Sequence, residues 1–216
     1  LIKGEKFTMA NTPHYAMVID LNTCVGCNAC MAACAIENQT PVWKNQWRTY
    51  VHDMEIGKEG GEVRRRFLPR LCNHCDNPPC MSVCPTGATH KLDNGIVLVD
   101  DSLCMGCRAC AMACPYDARL DMTSDDVEKG KEFYGELLHR EHPSVDKCSF
   151  CAHRVMKGLK PACVETCVGF SRQFGDLNDP NDPVAKIVAS GVAKPLMAHL
   201  GTRPNVYYIN DLERAT

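Results

Sequence analysis

The chain has 216 residues, a formal net charge of −2, 45 % hydrophobic and 23 % charged residues. That balance excludes wholesale disorder and leaves no global basic field to favour nucleic acid or an anionic membrane. Aromatics are 6 %, thin for a protein that stacks bases, and no apolar run approaches the roughly 18 residues needed to cross a bilayer. The expectation is a globular protein, soluble or peripheral to a membrane. What stands out is sulfur: 16 residues are cysteine.

Residues 1–13 are polar and without strong pattern. Leu1 is not an initiator methionine, no secretory apolar region is seen, and the internal Arg64-Arg65-Arg66 is not a twin-arginine signal. Tyr15–Leu21 reads as a strand and Ala29–Asn38 as a short helix. Residues 40–62, with Gly57, Gly60 and Gly61, read as an insertion or hairpin, followed by a strand over Val63–Leu71. Pro78-Pro79 suits a first helical turn ahead of Cys80–Cys84. His90–Leu92 and Ile96–Val99 flank Asp93-Asn94-Gly95, a hairpin turn. Residues 116–147 form a second, polar insertion, and Pro161–Cys167 is a short helix. Asp182 and Pro183 predict an N-cap and first helical residue, with Gly191 as the stop. Asn205–Asn210 predicts a last strand. No G-x-G-x-x-G or P-loop appears, which argues against a nucleotide site of the usual kind.

The cysteines form four groups of four: Cys24, Cys27, Cys30, Cys34; Cys72, Cys75, Cys80, Cys84; Cys104, Cys107, Cys110, Cys114; and Cys148, Cys151, Cys163, Cys167. Disulfides would need eight specific bridges. Structural zinc takes four ligands, usually as two separated pairs, and does not suit a third and fourth cysteine following at once. The first and third groups have the spacing C-x2-C-x2-C-x3-C, and the third adds Pro115. That run binds [4Fe–4S] clusters, with its fourth cysteine on the other cluster of a pair. The second group keeps Cys84-Pro85 with a longer spacer, while the first and fourth lack the proline.

A repeat supports this. Residues 15–34 align with 95–114 at an offset of 80, so that Asp20, Cys24, Gly26, Cys27, Ala29, Cys30, Ala33 and Cys34 recur. The expected fold class is α+β, a duplicated bacterial-type ferredoxin fold of two two-cluster modules with loop insertions and a C-terminal extension. The modules are expected over 14–62 plus 140–180 and over an inserted 63–125, with 181–216 as the extension. Groups close in sequence should pair, and the outer two should pair around them. The expected ligand sets are Cys72, Cys75, Cys80 and Cys114; Cys104, Cys107, Cys110 and Cys84; Cys24, Cys27, Cys30 and Cys167; and Cys148, Cys151, Cys163 and Cys34.

A fully cysteine-ligated [4Fe–4S] centre leaves no open position for substrate, so its work is one-electron transfer, at potentials set by hydrogen bonds, charge and exposure. Cations near the loops favour the reduced states. Arg108, Arg154, Lys157 and Lys160 are candidates, weighed against a plain solvated basic face. His74 and His153 are expected to hydrogen-bond around the clusters rather than ligate them. Asp117 and Glu165 have no recognisable acid–base partner and read as loop or helix-end charges. Met105 and Met112 read as core rather than ligands, and Trp43 and Trp47 as anchors of the first insertion, either in the core or at an interface.

The stretches Leu71-Cys72-Asn73-His74-Cys75-Asp76-Asn77-Pro78-Pro79-Cys80, Ala113-Cys114-Pro115-Tyr116-Asp117-Ala118-Arg119 and Lys147-Cys148-Ser149-Phe150-Cys151-Ala152-His153-Arg154 resemble the four-cluster electron-transfer subunits of molybdopterin oxidoreductases of the dimethyl sulfoxide/polysulfide reductase type. Phe174-Gly175-Asp176-Leu177 and Gly201-Thr202-Arg203-Pro204 resemble its polysulfide, thiosulfate and tetrathionate reductase branch. The resemblance covers about residues 14–210. It implies four [4Fe–4S] clusters, no catalysis by this chain alone, a large molybdopterin catalytic partner carrying molybdenum or tungsten, and a quinone-reactive membrane partner. It also implies a place at the membrane through that partner, on the periplasmic face or else the cytoplasmic one. The competing readings are a free-standing cluster enzyme, a zinc-based structural module and a lone soluble polyferredoxin.

Overall fold

A computed structural model describes residues 12–57, 61–138 and 141–210. The N-terminal stretch falls outside the described residues except for 12–13.

The centre of the fold is strand β1 (Tyr15–Asp20), in which Ala16, Met17, Val18 and Ile19 have no exposed surface. Such a continuous apolar run suits a strand covered on both faces. After it come helix α1 (Ala29–Asn38), β2 (Thr49–Ile56), β3 (Arg64–Leu71), α2 (Pro79–Ser82), β4 (Thr89–Lys91) and β5 (Val97–Val99). Next are α3 (Ala109–Met112), β6 (Leu120–Met122), α4 (Ser124–Tyr134) and β7 (Ser144–Asp146). The last elements are α5 (Ala152–Val155), α6 (Ala162–Glu165), β8 (Arg172–Asp176), α7 (Pro183–Ala189), β9 (Ala193–Pro195) and β10 (Val206–Ile209).

The strands form one four-stranded sheet, β8-β1-β10-β9, and three two-stranded ribbons, β2-β3, β4-β5 and β6-β7. In the sheet β1 runs antiparallel to β8 and parallel to β10. The C-terminal segment is therefore not an appendage: it supplies two strands of the central sheet. It also ties the Cys72 loop down, because the Asn205 side-chain amide donates to the His74 carbonyl at 2.8 Å and to Asp76 Oδ1 at 3.0 Å.

The hairpin expected within 40–62 instead joins β2 to β3 in full register from Thr49↔Leu71 to Ile56↔Arg64. The polar segment 116–147 contains more structure than its composition suggested. Thr123 and Asp126 close a capping box at the start of α4. Trp43 anchors the first insertion here, its indole N–H donating to Asp126 Oδ1 at 3.1 Å, whereas Trp47 packs against the main core. Asp182 caps α7 as expected, accepting from the Val184 amide at 2.7 Å. Met105 and Met112, expected in the core, are 67 % and 89 % exposed. They sit on a cysteine loop and a four-residue helix that are too short to bury both faces.

Candidate metal centres

Each cysteine group begins on a loop curled by left-handed residues. In the first, Gly26 (φ 66°) and Asn28 (φ 60°) turn the chain before α1, and Gly106 (φ 70°) and Arg108 (φ 60°) do the same before α3. His74 (φ 43°) bends the second loop, and Phe150 and Cys151 (both φ 50°) the fourth. This curl brings successive side chains round to one side. The helices then carry the later cysteines: Cys30 and Cys34 lie one turn apart on α1. Helix α1 packs on α6, which bears Cys163, and α2 on α3, which bear Cys80 and Cys110.

Four small cavities result, each lined by four cysteines. Cys24, Cys27, Cys30 and Cys167 line one, and Cys34, Cys148, Cys151 and Cys163 the second. Cys72, Cys75, Cys80 and Cys114 line the third, and Cys84, Cys104, Cys107 and Cys110 the fourth. Their volumes, counting solvent at the mouths, fall between about 280 and 350 Å³. The second and third are neighbours, since the Cys72 thiol adds to the repulsion felt by Cys148.

All sixteen thiols are free, against the disulfide reading. Among the described residues no three His, Cys, Asp or Glu side chains converge closely enough to hold a single metal ion. Four thiols spread around one cavity suit a cube, whose iron corners each take a separate thiolate. The electrostatics agree. Burial pushes the Cys34 and Cys75 thiols up to about 12, and burial with neighbouring thiols raises Cys148 well above the usual range. Bare thiolates in these positions repel one another, so the donor set needs positive charge at its centre, as iron supplies. Backbone donors are already aimed at sulfur: Thr89 N–H to Cys84 at 3.4 Å, Val145 N–H to Cys104 at 3.5 Å and Phe150 N–H to Cys148 at 3.4 Å. At Cys84, hydrogen bonds from Thr89 and Thr86 overcome the cost of burial and bring the thiol down to about 7. The Asn38 side-chain amide donates to both Cys34 (3.5 Å) and Cys151 (3.7 Å). The residues present fit four [4Fe–4S] clusters.

Of the cations named from the sequence, Arg108 lines the cavity of Cys84, Cys104, Cys107 and Cys110. Arg108 is 60 % exposed and paired with Asp121. His153 and Arg154 both pair with Glu37, at 2.7 and 3.0 Å, and Lys157 is exposed. His74 is fully buried; its Nδ1 accepts from the Val97 amide at 3.1 Å, and its Nε2 is buried without a protein partner. Asp117 and Glu165 are exposed, in keeping with loop and helix-end charges. The structure also buries Arg119 and Arg172 beside the cysteines, and holds Arg48, half-buried, in a two-pronged ion pair with Asp146 at 2.8 Å. A basic residue five positions after a group's fourth cysteine is the sequence signal for Arg119 and Arg172.

Similarity to known proteins follows the same lines. A 4Fe-4S dicluster domain family matches residues 63–134 and 134–177, and a second family of that description matches 23–88. A tetrathionate reductase subunit of Salmonella typhimurium is 45 % identical over 198 residues, 90 % of this chain and 72 % of the relative. A putative dimethyl sulfoxide reductase iron-sulfur subunit of Halobacterium salinarum is 40 % identical, over 91 % of this chain and 79 % of its own length. The arsenate respiratory reductase iron-sulfur subunit of a Shewanella species is 37 % identical, over 89 % and 94 %. The chain belongs to the 4Fe-4S dicluster family and, within it, to the four-cluster iron–sulfur electron-transfer subunits of the molybdopterin oxidoreductases, on the tetrathionate reductase branch.

Proposed function

We propose that this chain joins a quinone-reactive membrane subunit to a large molybdopterin catalytic subunit that acts on a sulfur compound such as polysulfide, thiosulfate or tetrathionate. The observation that carries the reading is the set of four four-cysteine cavities in one chain. The ligand sets proposed are those of the cavities, so each fourth cysteine crosses to the neighbouring cluster: Cys167 to the Cys24 loop, Cys34 to the Cys148 loop, Cys114 to the Cys72 loop and Cys84 to the Cys104 loop. This makes the chain a duplicated ferredoxin, with one module over 14–62 plus 140–180 and the other over 63–125. The clusters supply one-electron transfer; the protein spaces them, shields them and sets their charge environment.

Two features favour partners at both ends. Cys27 and Cys107 are the two exposed cysteines. The loops around Cys27 and Cys167 expose Val25, Val168 and Phe170, and those around Cys107 expose Leu103, Met105 and Met112. Apolar surface beside an outer cluster suits a covered docking face. Among the described residues no helix is long and apolar enough to cross a membrane, so attachment through a partner is the proposal, on the periplasmic face by family resemblance. The similarity to subunits named for selenate and arsenate reductases supports an oxyanion substrate as the second reading.

Purification of the native complex tests this. The expected result is sixteen iron and sixteen acid-labile sulfide per chain, with a copurifying large molybdenum or tungsten subunit and a membrane subunit. Zinc without sulfide would overturn the cluster reading, and a loaded chain with no large partner would make it a free polyferredoxin.

A further inference from the structure

Arg172, on β8, is 3 % exposed and lines the cavity of Cys24, Cys27, Cys30 and Cys167. Its guanidinium also lies beside the Cys163 thiol, which belongs to the adjoining cavity. One N–H donates to Thr49 Oγ1 at 2.8 Å and another reaches Met17 Sδ at 3.9 Å. Arg119 repeats this arrangement in the other pair of cavities. It is 7 % exposed, sits beside Cys80 of one cavity and Cys110 of the next, and donates to Thr89 Oγ1 at 3.1 Å. Each guanidinium thus stands between the third cysteines of two groups, with a threonine hydroxyl holding its far side.

Neither has a carboxylate partner among the described residues. Arg48, Arg108 and Arg154 are each matched by an acid, but Arg119 and Arg172 are not. The Arg119 Nη2 group is buried with no hydrogen-bond acceptor, in a residue lining the cavity of Cys72, Cys75, Cys80 and Cys114. A buried, unpaired N–H of a cation is costly. A cluster sulfur held in that cavity would offer it an acceptor.

The repeat did not transmit these residues. The offset of 80 that relates the first and third groups sends Arg119 onto Gln39. The position five after Cys84, which corresponds to Arg172 in the fourth group, holds Thr89. One module takes its arginine from the third group and the other from the fourth, yet both reach the same place between two cavities.

We propose that Arg119 and Arg172 are positioning residues that set cluster potential, each shared by the two clusters of its pair. Reduction adds negative charge to a cluster already surrounded by thiolates. A fixed cation in a low-dielectric gap favours the reduced form of both neighbours and eases repulsion between them. The inference rests on the ligand sets proposed above.

The test uses the full chain with clusters loaded, as wild type and as Arg119→Gln, Arg119→Lys, Arg172→Gln and Arg172→Lys. Iron and sulfide per chain are measured first, then the midpoints by EPR-monitored redox titration. Each glutamine variant is expected to shift two of the four midpoints to lower potential and leave the other two in place, with different pairs moved by Arg119 and Arg172. Each lysine variant is expected to recover part of the shift. If Arg172→Gln does not load, Thr49→Val, which keeps the charge but frees its anchor, is expected to move the same pair by less; if Arg119→Gln does not load, Arg119→Lys alone is expected to move its pair by less. Loaded variants with four unmoved midpoints, or with all four moved alike, would overturn the proposal. Wild-type protein with eight iron instead of sixteen would overturn the cluster reading itself, whatever the arginines do.

Discussion

The imidazole of His74 stacks on the ring of Phe150, with centroids 3.7 Å apart and planes at 21°. These residues hold the same place in their loops, two after Cys72 and two after Cys148, and both have positive φ. Such a backbone is rare for a bulky side chain, so the stack is held by its surroundings. Phe150 meets Phe174 edge-on at 5.2 Å, and Phe174 stacks on Tyr15. The contact joins the two inner cavities. Phe150→Ala is expected to cost about 3–5 kcal/mol. His74→Phe keeps the ring but strands the buried Val97 amide, an expected loss of about 1–3 kcal/mol. Denaturation of the loaded protein, followed by its visible absorbance, ranks the two; a costlier His74→Phe would refute the order.

Gly26 and Gly106 occupy equivalent positions in the repeat but differ in surroundings. A Cβ on Gly26 would lie 2.4 Å from the Phe67 ring, whereas one on Gly106 meets nothing within 4 Å. Alanine at either carries the left-handed backbone cost of about 1–2 kcal/mol. At Gly26 overpacking adds about 1–3 kcal/mol. Gly26→Ala is therefore expected to lose its clusters at a lower temperature than Gly106→Ala at the same scan rate. Equal temperatures would mean that Phe67 moves freely aside.

Much of this was legible in the sequence because sulfur spacing is a geometric code. Cysteines at x2 intervals need a curled loop, and an x3 step crosses to the neighbour, so the groups of cysteines that share a cavity could be read without coordinates. Helix α1 was legible to the residue, since Ala29–Asn38 follows a left-handed turn. The buried arginines were not, because a basic residue in a polar loop carries no mark of its burial until the β8 strand turns Arg172 inward. Arg154 and Lys157 were closer in sequence to the cysteines, but helix direction sends them to an acid or to solvent, while Arg108 lines a cavity with its guanidinium turned to Asp121. The last strand was legible at Asn205–Asn210, but its place in the central sheet was hidden for a similar reason: parallel pairing of β10 with β1 spans nearly the whole chain.

Cys30 and Cys34 are one turn apart on α1 yet line different cavities. Cys30→Ser should perturb the same EPR signal as Cys167→Ser. Cys34→Ser should perturb the same signal as Cys151→Ser, and a different one from Cys30→Ser. Serine is smaller in effect than alanine because its oxygen can still reach iron, so the readout is a shifted midpoint of one cluster rather than its loss. A common signal for Cys30→Ser and Cys34→Ser would place both thiolates on one cube and break the crossed arrangement.

Asp126 sets a pH dependence in α4. Burial alone would raise its carboxyl, but hydrogen bonds from Lys44, Thr123 and Trp43 outweigh it and bring the group from 3.8 to about 2. Its side chain is only 5 % exposed, so solvent screens little of this. A folded value below the unfolded one means stabilisation that is complete above about pH 4 and is lost as pH falls through about 2. The shift corresponds to about 2 kcal/mol. Asp126→Asn removes the charge and is expected to make α4 open more easily by about that amount at neutral pH, read by native-state hydrogen exchange of its amides. The gap between wild type and Asp126→Asn should narrow between pH 4 and pH 2. A gap that widens on acidification would show that Lys44 and Trp43 do not hold the ionised carboxylate.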